Sequence, residues 1–152
     1  MTIVARRATH EHELDELRLA LRDMLAAHRR LRGRDGRQPG SIGYAQYPLL
    51  AALRREGELT SSGLAGAADL APATVTQMLD ALEAAGLVER QRDSADRRVV
   101  LVRLTALGRR SYDAKHAELV AAWNHELSDL DTESLRAASV VLQRLGAFLD
   151  GL

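Results

Sequence analysis

The chain has 152 residues, 46% of them hydrophobic and 28% charged, which indicates one globular domain and excludes a disordered chain. The absence of cysteine excludes disulfide bonds and thiol-based redox sensing. No apolar run approaches the ~18 residues that span a bilayer, and the charged N-terminus lacks the apolar region of a signal peptide, so we expect a cytoplasmic protein. The net charge is zero, yet residues 29–110 contain 14 arginines and nine acidic residues. This local excess of positive charge favours contact with phosphate.

A first helix is predicted from about Glu11 to Leu31, because apolar residues recur there at spacings of three and four along one narrow seam. The seam consists of Leu14, Leu17, Leu21, Met24, His28 and Leu31. The stretch 29–40, rich in Gly and Arg, is predicted to be a mobile basic loop. A second helix is predicted from about Gly43 to Glu56.

Two short helices separated by a turn are predicted next. Thr60 suits the N-cap of a helix that ends near Ala68, and Pro72 suits the first position of a helix that ends at Gly86. The buried stripe of the second helix is predicted to be Val75, Met78, Leu79 and Leu82. The residues left facing outward are Thr74, Thr76, Gln77 and Asp80.

A β-hairpin is predicted directly after these helices. Residues 87–92 and 99–104 have strand character, and the loop 93–98 between them carries two aspartates and two arginines. A hairpin in this position is the wing of a winged helix-turn-helix, which places one helix in the DNA major groove and a hairpin arginine beside the minor groove. The predicted fold is therefore mainly α with a small two-stranded wing.

Two long helices are predicted to complete the chain. Thr105 suits the N-cap of a helix that reaches about Leu127, and the last helix begins at Thr132. The last helix repeats the seam spacing of the first, through Leu135, Ala138, Leu142, Leu145, Leu149 and Leu152. We expect a single domain, 1–152, whose terminal helices (about 11–32 and 109–152) interlock with those of a second subunit around a winged-helix core of about 43–108. The alternative is that the two seams cover each other within a monomer.

Several motifs in this order resemble the MarR family of bacterial transcriptional regulators. They are Leu59-Thr60 with Leu64-Ala65, residues 72–76, residues 82–90, residues 93–98, and Leu104-Thr105-Ala106-Leu107-Gly108. The most specific is Asp-x-Arg in the wing, followed six residues later by Leu-Thr-x-x-Gly. The resemblance extends over nearly the whole chain. It implies a homodimeric repressor on a pseudo-palindromic double-stranded DNA operator, released when a small phenolic or otherwise aromatic molecule binds between the dimerisation and DNA-binding regions.

The wing supplies the first candidate DNA contacts. By the Asp-x-Arg pattern, Arg98 is expected to enter the minor groove and Asp96 to hold it through a charge-assisted hydrogen bond. The alternative is an ordinary exposed ion pair at the hairpin tip. Arg97, Arg90 and Arg92 are expected to bind phosphate, the alternative being solvated charge. Replacement of Arg98 or Arg90 should lower the salt dependence of binding by about one unit of slope each.

The helices supply further candidates. Thr74, Thr76 and Gln77 are expected to contact bases or phosphates, although a local backbone bond or a solvated position would also explain each threonine. Ser61 and Ser62 can offer hydroxyls and amides to phosphate, although capping alone would explain them.

The predicted helix that begins at Pro72 and ends at Gly86 departs from the family pattern because it lacks positive charge. Gln77 stands where arginine is frequent, and residues 72–89 contain no Lys or Arg. Glutamine suits adenine, whereas arginine suits guanine. Ala71 replaces the commoner capping serine, and Gly63 stands where Glu would complete a capping box. We therefore expect a lower intrinsic affinity for DNA that depends more on arginines of the wing and loops.

Candidates for an effector pocket lie on the first, second and fifth predicted helices. His28 interrupts an apolar seam and can bind a carboxylate or a phenol, although such a residue is more often a satisfied core or interface histidine. The tyrosines are similarly divided between core packing and ligand contact. The full set is His28, Met24, Tyr44, Tyr47, His116 and Trp123.

Other classes of function have little support. The sequence contains no Gly-rich phosphate loop, no metal-ligand histidine spacing and no nucleophile elbow, so we expect no enzyme activity, cofactor or metal. The remaining alternative is a winged-helix module that binds protein and not DNA. Such a module has no need for Asp96, Arg98 and the basic residues around them.

Overall fold

The computed structural model describes the backbone of residues 2–33 and 42–152, and the side chains from Thr9 onward in those ranges. The described elements are α1 (Thr2–Gly33), α2 (Tyr47–Glu56), β1 (Glu58–Thr60), α3 (Ser61–Ala67), α4 (Pro72–Ala84), β2 (Val88–Arg92), β3 (Val100–Leu104), α5 (Ala106–Glu126) and α6 (Thr132–Asp150). The chain divides into two compact units, one ending at Asp113 and the other comprising Ala114–Leu152. The mainly α fold with a small wing is confirmed.

The bounds of the first two helices differ from the prediction. Helix α1 begins at Thr2 and not near Glu11; among the added residues only the stretch 5–8 (Ala-Arg-Arg-Ala) consists of good helix formers. Helix α2 begins at Tyr47, since the preceding residues form a turn in which the Gly43 N–H donates to the Gln46 side chain at 3.1 Å. Of the predicted basic loop, residues 29–33 belong to α1 and residues 34–40 lie outside the described residues.

The predicted hairpin is confirmed, with β2 paired antiparallel to β3, and a third strand that the sequence did not predict, β1, joins the sheet. The strand order is β1-β3-β2, with Leu59 of β1 opposite Val102 of β3. Gly57 (φ +86°) ends α2 in a conformation that favours glycine, and its N–H donates to the Leu53 carbonyl at 2.9 Å. A strand of only three residues is too short to show an alternating pattern, which is why the sequence did not predict it.

The hydrophobic core lies between α2, α3, α4 and the sheet. The predicted apolar stripe of α4 is confirmed, with Val75, Leu79 and Leu82 fully buried and Met78 half-buried against the core. Each such burial contributes about 1.5–3 kcal/mol. The other fully buried large side chains are Leu49, Leu50, Leu53, Leu64, Val88 and Val102.

Two of the four helix starts in the winged-helix region, those of α3 and α5, have side-chain caps. The Thr60 hydroxyl accepts from the Gly63 N–H at 3.0 Å, and the Thr105 hydroxyl accepts from the Gly108 N–H at 2.9 Å, so both predicted N-caps are confirmed. Ala71 has extended backbone at the start of α4 but makes no side-chain cap. The first turn of α4 therefore keeps backbone N–H groups without a capping partner.

A tight joint connects the wing to α5. The Thr105 N–H donates to the Leu87 carbonyl at 3.1 Å, and the Thr105 hydroxyl donates to the Gly86 carbonyl at 2.7 Å. A Cβ on Gly108 would lie only 1.9 Å from the Leu87 carbonyl oxygen. The motif Leu-Thr-x-x-Gly thus has a structural cause, because it allows α5 to begin in contact with the backbone at the base of the wing.

Helices α1 and α6 leave much of their apolar seams exposed in the single chain. Met24 on α1 is 50% exposed, and Leu142 and Leu149 on α6 are 52% and 55% exposed. No residue of α6 is buried. Among residues 2–33 and 42–152, none of the helices has the combination of length and apolar composition needed to cross a bilayer.

Candidate nucleic-acid interface

The wing loop is held in shape by its own aspartates. The Asp93 carboxylate accepts from the Ala95 N–H at 2.8 Å, and the Asp96 carboxylate accepts from the Arg98 N–H at 2.9 Å. Backbone bonds from Asp93 to Val99 (3.0 Å) and from Val99 to Asp96 (2.9 Å) close the loop. Two consecutive turns of this kind give the loop a defined conformation through hydrogen bonds within the hairpin itself.

The prediction that the Asp96 carboxylate accepts a hydrogen bond from the Arg98 side chain was wrong. The carboxylate binds the Arg98 backbone N–H, because a short aspartate side chain reaches the amide two residues later without ordering a long side chain. Asp96 therefore shapes the loop, and the Arg98 guanidinium has no partner among the described residues.

Three arginines at the distal end of the hairpin carry unpaired charge. Arg92, Arg97 and Arg98 are exposed, and their guanidinium groups make no hydrogen bond or ion pair within the described part of the chain. Both carboxylates of the loop already accept from backbone N–H groups. The wing tip therefore presents guanidinium groups that can bind phosphate or enter a groove without first breaking an internal contact.

The accessible face of α4 is polar but uncharged in its first half. Gln77 is exposed, with exposed Ala73 and Ala81 one turn before and after it, and Thr74 is half-buried. The Thr76 hydroxyl donates to the Pro72 carbonyl at 3.1 Å, so Thr76 makes the local backbone bond that was the alternative to a DNA contact. The Gln77 side chain therefore offers amide donors and acceptors on the exposed face of α4, with the methyl groups of Ala73 and Ala81 on either side of it.

The start of α3 carries the two predicted serines. Ser61 and Ser62 are exposed in its first turn, and the Ser62 hydroxyl lies 3.1 Å from that of the capping Thr60. Ser62 therefore takes part in the cap, whereas Ser61 has a hydroxyl without a described partner.

Arg90 occupies a different environment from the other arginines of the wing. It lies in β2, and its terminal nitrogens donate to Asp80 at 2.7 Å and to Glu83 at 2.5 Å, both on α4. The hydrogen bond to Asp80 is the main cause that raises the pKa of Arg90. This contact was not predicted from the sequence, although two carboxylates one helical turn apart, in a helix that leads directly into a strand, are a usable signal.

Two aromatic pairs lie in the first unit, where an effector pocket was predicted. His28 meets Tyr44 edge to face, with ring centroids 5.6 Å apart. Tyr47 stacks on Tyr112 at 5.3 Å, and their hydroxyls are 3.5 Å apart. Burial and the bond to Tyr112 raise the pKa of Tyr47 to about 12. Tyr112, which is 9% exposed, did not appear among the sequence candidates because no apolar period singles it out.

The other effector candidates are exposed. Met24 lies on α1, and His116 and Trp123 lie on the part of α5 that belongs to the second unit. Within the described residues, no group of three or more His, Asp or Glu side chains is arranged to bind a metal ion.

The sequence of this chain is similar to those of known proteins. Residues 42–100 match the family model of the MarR family. The HTH-type transcriptional regulator YhbI of Bacillus subtilis (strain 168) is 31% identical over 111 residues, which cover 71% of this chain and 72% of YhbI. The HTH-type transcriptional repressor MdtR of the same organism is 33% identical over 101 residues, covering 66% of this chain and 65% of MdtR. Across the curated relatives, the matched segment spans between 63% and 72% of the relative's own length.

The likeness extends to solved structures. A MarR family protein from Bacillus stearothermophilus superimposes with a TM-score of 0.70 at 28% identity, covering 92% of this chain and 97% of that chain. The structural likeness thus covers nearly the whole chain, whereas the family model covers residues 42–100. The chain belongs to the MarR family of transcriptional regulators.

Proposed function

We propose that this protein is a sequence-specific DNA-binding transcriptional regulator. The observation that carries the proposal is the wing, whose three unpaired arginines extend from the same compact unit as the accessible face of α4. Only a short turn at Ala85–Leu87 separates α4 from β2. With α4 in a major groove, such a wing reaches the neighbouring backbone and minor groove.

The wing is proposed to provide affinity. Arg98 enters the minor groove, where narrow A·T-rich segments attract guanidinium groups, and Arg92 and Arg97 bind phosphates. Asp96 contributes indirectly, because its bond to the Arg98 backbone shapes the loop.

Helices α3 and α4 are proposed to provide register and sequence preference. Gln77 pairs with the N6 and N7 positions of adenine, and the methyl groups of Ala73 and Ala81 suit thymine methyls. Thr74, Thr76, Ser61 and Ser62 bind phosphate together with the uncapped first turn of α4. A site rich in A·T base pairs follows from this set.

The protein is proposed to act as a homodimer. Several large apolar residues of α1 and α6 are about half exposed in the single chain, which is more than an isolated monomer usually shows. We propose that a second copy of this chain covers these residues. In a two-fold dimer the seams of both subunits are covered, and the two-fold symmetry corresponds to that of a palindromic operator. Sedimentation should give twice the 16.6 kDa mass of one chain, and Leu142→Asp should shift the protein towards the monomer.

Repression relieved by a small molecule is proposed as the mode of regulation. A dimer seated on a promoter excludes polymerase, and one relative carries the name of a repressor. The aromatic pairs of His28 with Tyr44 and of Tyr47 with Tyr112 favour a flat aromatic or phenolic effector. Met24, His116 and Trp123 are the further candidates for contact with it.

Selection from a pool of random double-stranded DNA at low salt tests the function. We expect the protein to enrich an inverted repeat whose half-sites are rich in A·T pairs. If it enriches no sequence, sequence-specific DNA binding is excluded, and a winged-helix module that binds protein becomes the leading hypothesis. Enrichment of a single unrepeated site would instead contradict the homodimer.

A further inference from the structure

We propose that Arg90 is a positioning residue for DNA binding and not a phosphate ligand. It ties the base of the wing to α4 and neutralises part of the negative charge on that helix. The inference rests on the proposed function, and it replaces the expectation from the sequence that Arg90 binds phosphate.

The contact joins two elements through one side chain. One terminal nitrogen of Arg90 donates to Asp80 at 2.7 Å, and the other donates to Glu83 at 2.5 Å. The Arg90 side chain is 27% exposed, less than those of Asp80 (63%) and Glu83 (41%). A planar guanidinium can hold two carboxylates in this way because its donors diverge in a fixed fork.

The charges on α4 explain why the contact matters for DNA. Within α4, which the structure describes in full, Asp80 and Glu83 are the only ionisable residues. Without Arg90 the helix that approaches DNA carries two negative charges and no positive one. Carboxylates near phosphate weaken binding, so Arg90 reduces a repulsion that the composition of α4 otherwise creates.

A direct contact between Arg90 and phosphate conflicts with this arrangement. Each terminal nitrogen of Arg90 already donates to a carboxylate, so a phosphate bound there would lie beside both Asp80 and Glu83 and be repelled by them. Arg92, Arg97 and Arg98 face no such competition, since their guanidinium groups are unpaired within the described residues. The three unpaired arginines of the wing are thus suited to bind DNA, whereas the paired Arg90 is suited to hold the wing against α4.

The test compares the effect of Arg90→Gln in two backgrounds, the wild type and the double variant Asp80→Asn/Glu83→Gln. Affinity for the duplex enriched by the wild type is measured at several salt concentrations. We expect Arg90→Gln to weaken binding at least tenfold in the wild type and less than threefold in the double variant. We also expect the slope of log affinity against log salt to stay within half a unit, because no phosphate contact is lost.

Arg103→Gln is the matched control. Arg103 lies on β3, and its Nε donates to Glu89 across the sheet at 2.8 Å. This substitution removes the same charge and one ion pair from the hairpin but leaves α4 unchanged, so binding should weaken less than threefold. Urea unfolding of each variant shows whether it is folded. If Arg90→Gln alone is unstable, the triple variant Asp80→Asn/Glu83→Gln/Arg90→Gln, in which all three charges are removed, keeps the test valid.

The outcomes separate the two proposals. If Arg90→Gln weakens binding by the same factor in both backgrounds and lowers the salt slope by about one, Arg90 is a phosphate ligand and this inference fails while DNA binding stands. If the wild type enriches no duplex, the proposed function itself fails. Rescue of binding in the double variant at constant slope supports the positioning role.

Discussion

Replacing Gly108 by alanine tests the joint between the wing and α5. The new Cβ would lie 1.9 Å from the Leu87 carbonyl oxygen, and the atom it meets belongs to the backbone and not to a movable side chain. The two segments must separate by about 1.5 Å before the contact reaches an ordinary distance. That movement breaks the bonds of Thr105 to the carbonyls of Leu87 and Gly86, at 3.1 and 2.7 Å.

The expected loss follows from these contacts. Overpacking costs about 1–3 kcal/mol, and each lost hydrogen bond adds about 1 kcal/mol. The better helix propensity of alanine returns about 1 kcal/mol, so we expect a net loss of about 2–4 kcal/mol in the free energy of unfolding, measured by urea denaturation.

Gly66→Ala is the matched control for this substitution. Gly66 also lies in a helix of the first unit, but a Cβ there would meet nothing within 4 Å. It should be neutral or stabilise the protein by up to about 1 kcal/mol. If Gly108→Ala is as well tolerated as Gly66→Ala, the joint does not constrain the wing and the structural reason given for the Leu-Thr-x-x-Gly motif is wrong.

Three further predictions concern caps and titrating groups. Ala71→Ser should supply the missing cap of α4 and raise the free energy of unfolding by about 1 kcal/mol, whereas Thr60→Ala should lower it by a similar amount. If urea denaturation shows that both substitutions change this free energy in the same direction, the capping contacts are contradicted. The pKa of Asp131 is lowered below its usual 3.8 by a backbone N–H in the first turn of α6. Its charge therefore stabilises the fold above that pH, and the advantage in melting temperature over Asp131→Asn should shrink as the pH falls below about 4; an advantage that grows in acid would refute this. Because burial raises the pKa of Tyr47 to about 12, the neutral phenol stabilises the fold fully below pH ~10, and the loss between pH 10 and 12 should be smaller in Tyr47→Phe. Identical alkaline unfolding of the two proteins would count against the buried pair.

Much of the fold could be predicted because it depends on local patterns. The buried stripe of α4 follows from a helical period, and the caps at Thr60 and Thr105 follow from residue type and position. Strand β1 could not be predicted, since three residues carry no period and its pairing partner is β3, more than 40 residues away in the chain. Local chemistry predicts local structure, whereas pairing across the chain needs the tertiary fold.

The candidate site shows the same division. The arginines of the wing could be found by composition, but the sequence does not distinguish Arg90 from Arg92, because only the packing of β2 beside α4 brings Asp80 and Glu83 within reach of the former. Similarly, Asp96 was expected to bind the Arg98 side chain, whereas the shorter path to the backbone N–H prevails. Partners of long charged side chains depend on tertiary neighbours, and no periodicity encodes them.

The salt dependence of DNA binding by Arg98→Ala tests whether the wing contacts DNA. Wild type, Arg98→Ala and Arg55→Ala are compared on the duplex that the wild type enriches. The last is the control, since Arg55 lies on α2 and pairs with its neighbour Glu56 at 2.7 Å, so its loss changes the net charge equally. We expect Arg98→Ala to weaken binding at least tenfold and to lower the slope of log affinity against log salt by about one, while Arg55→Ala leaves the slope unchanged. Equal effects of the two substitutions would mean that the wing does not contact DNA.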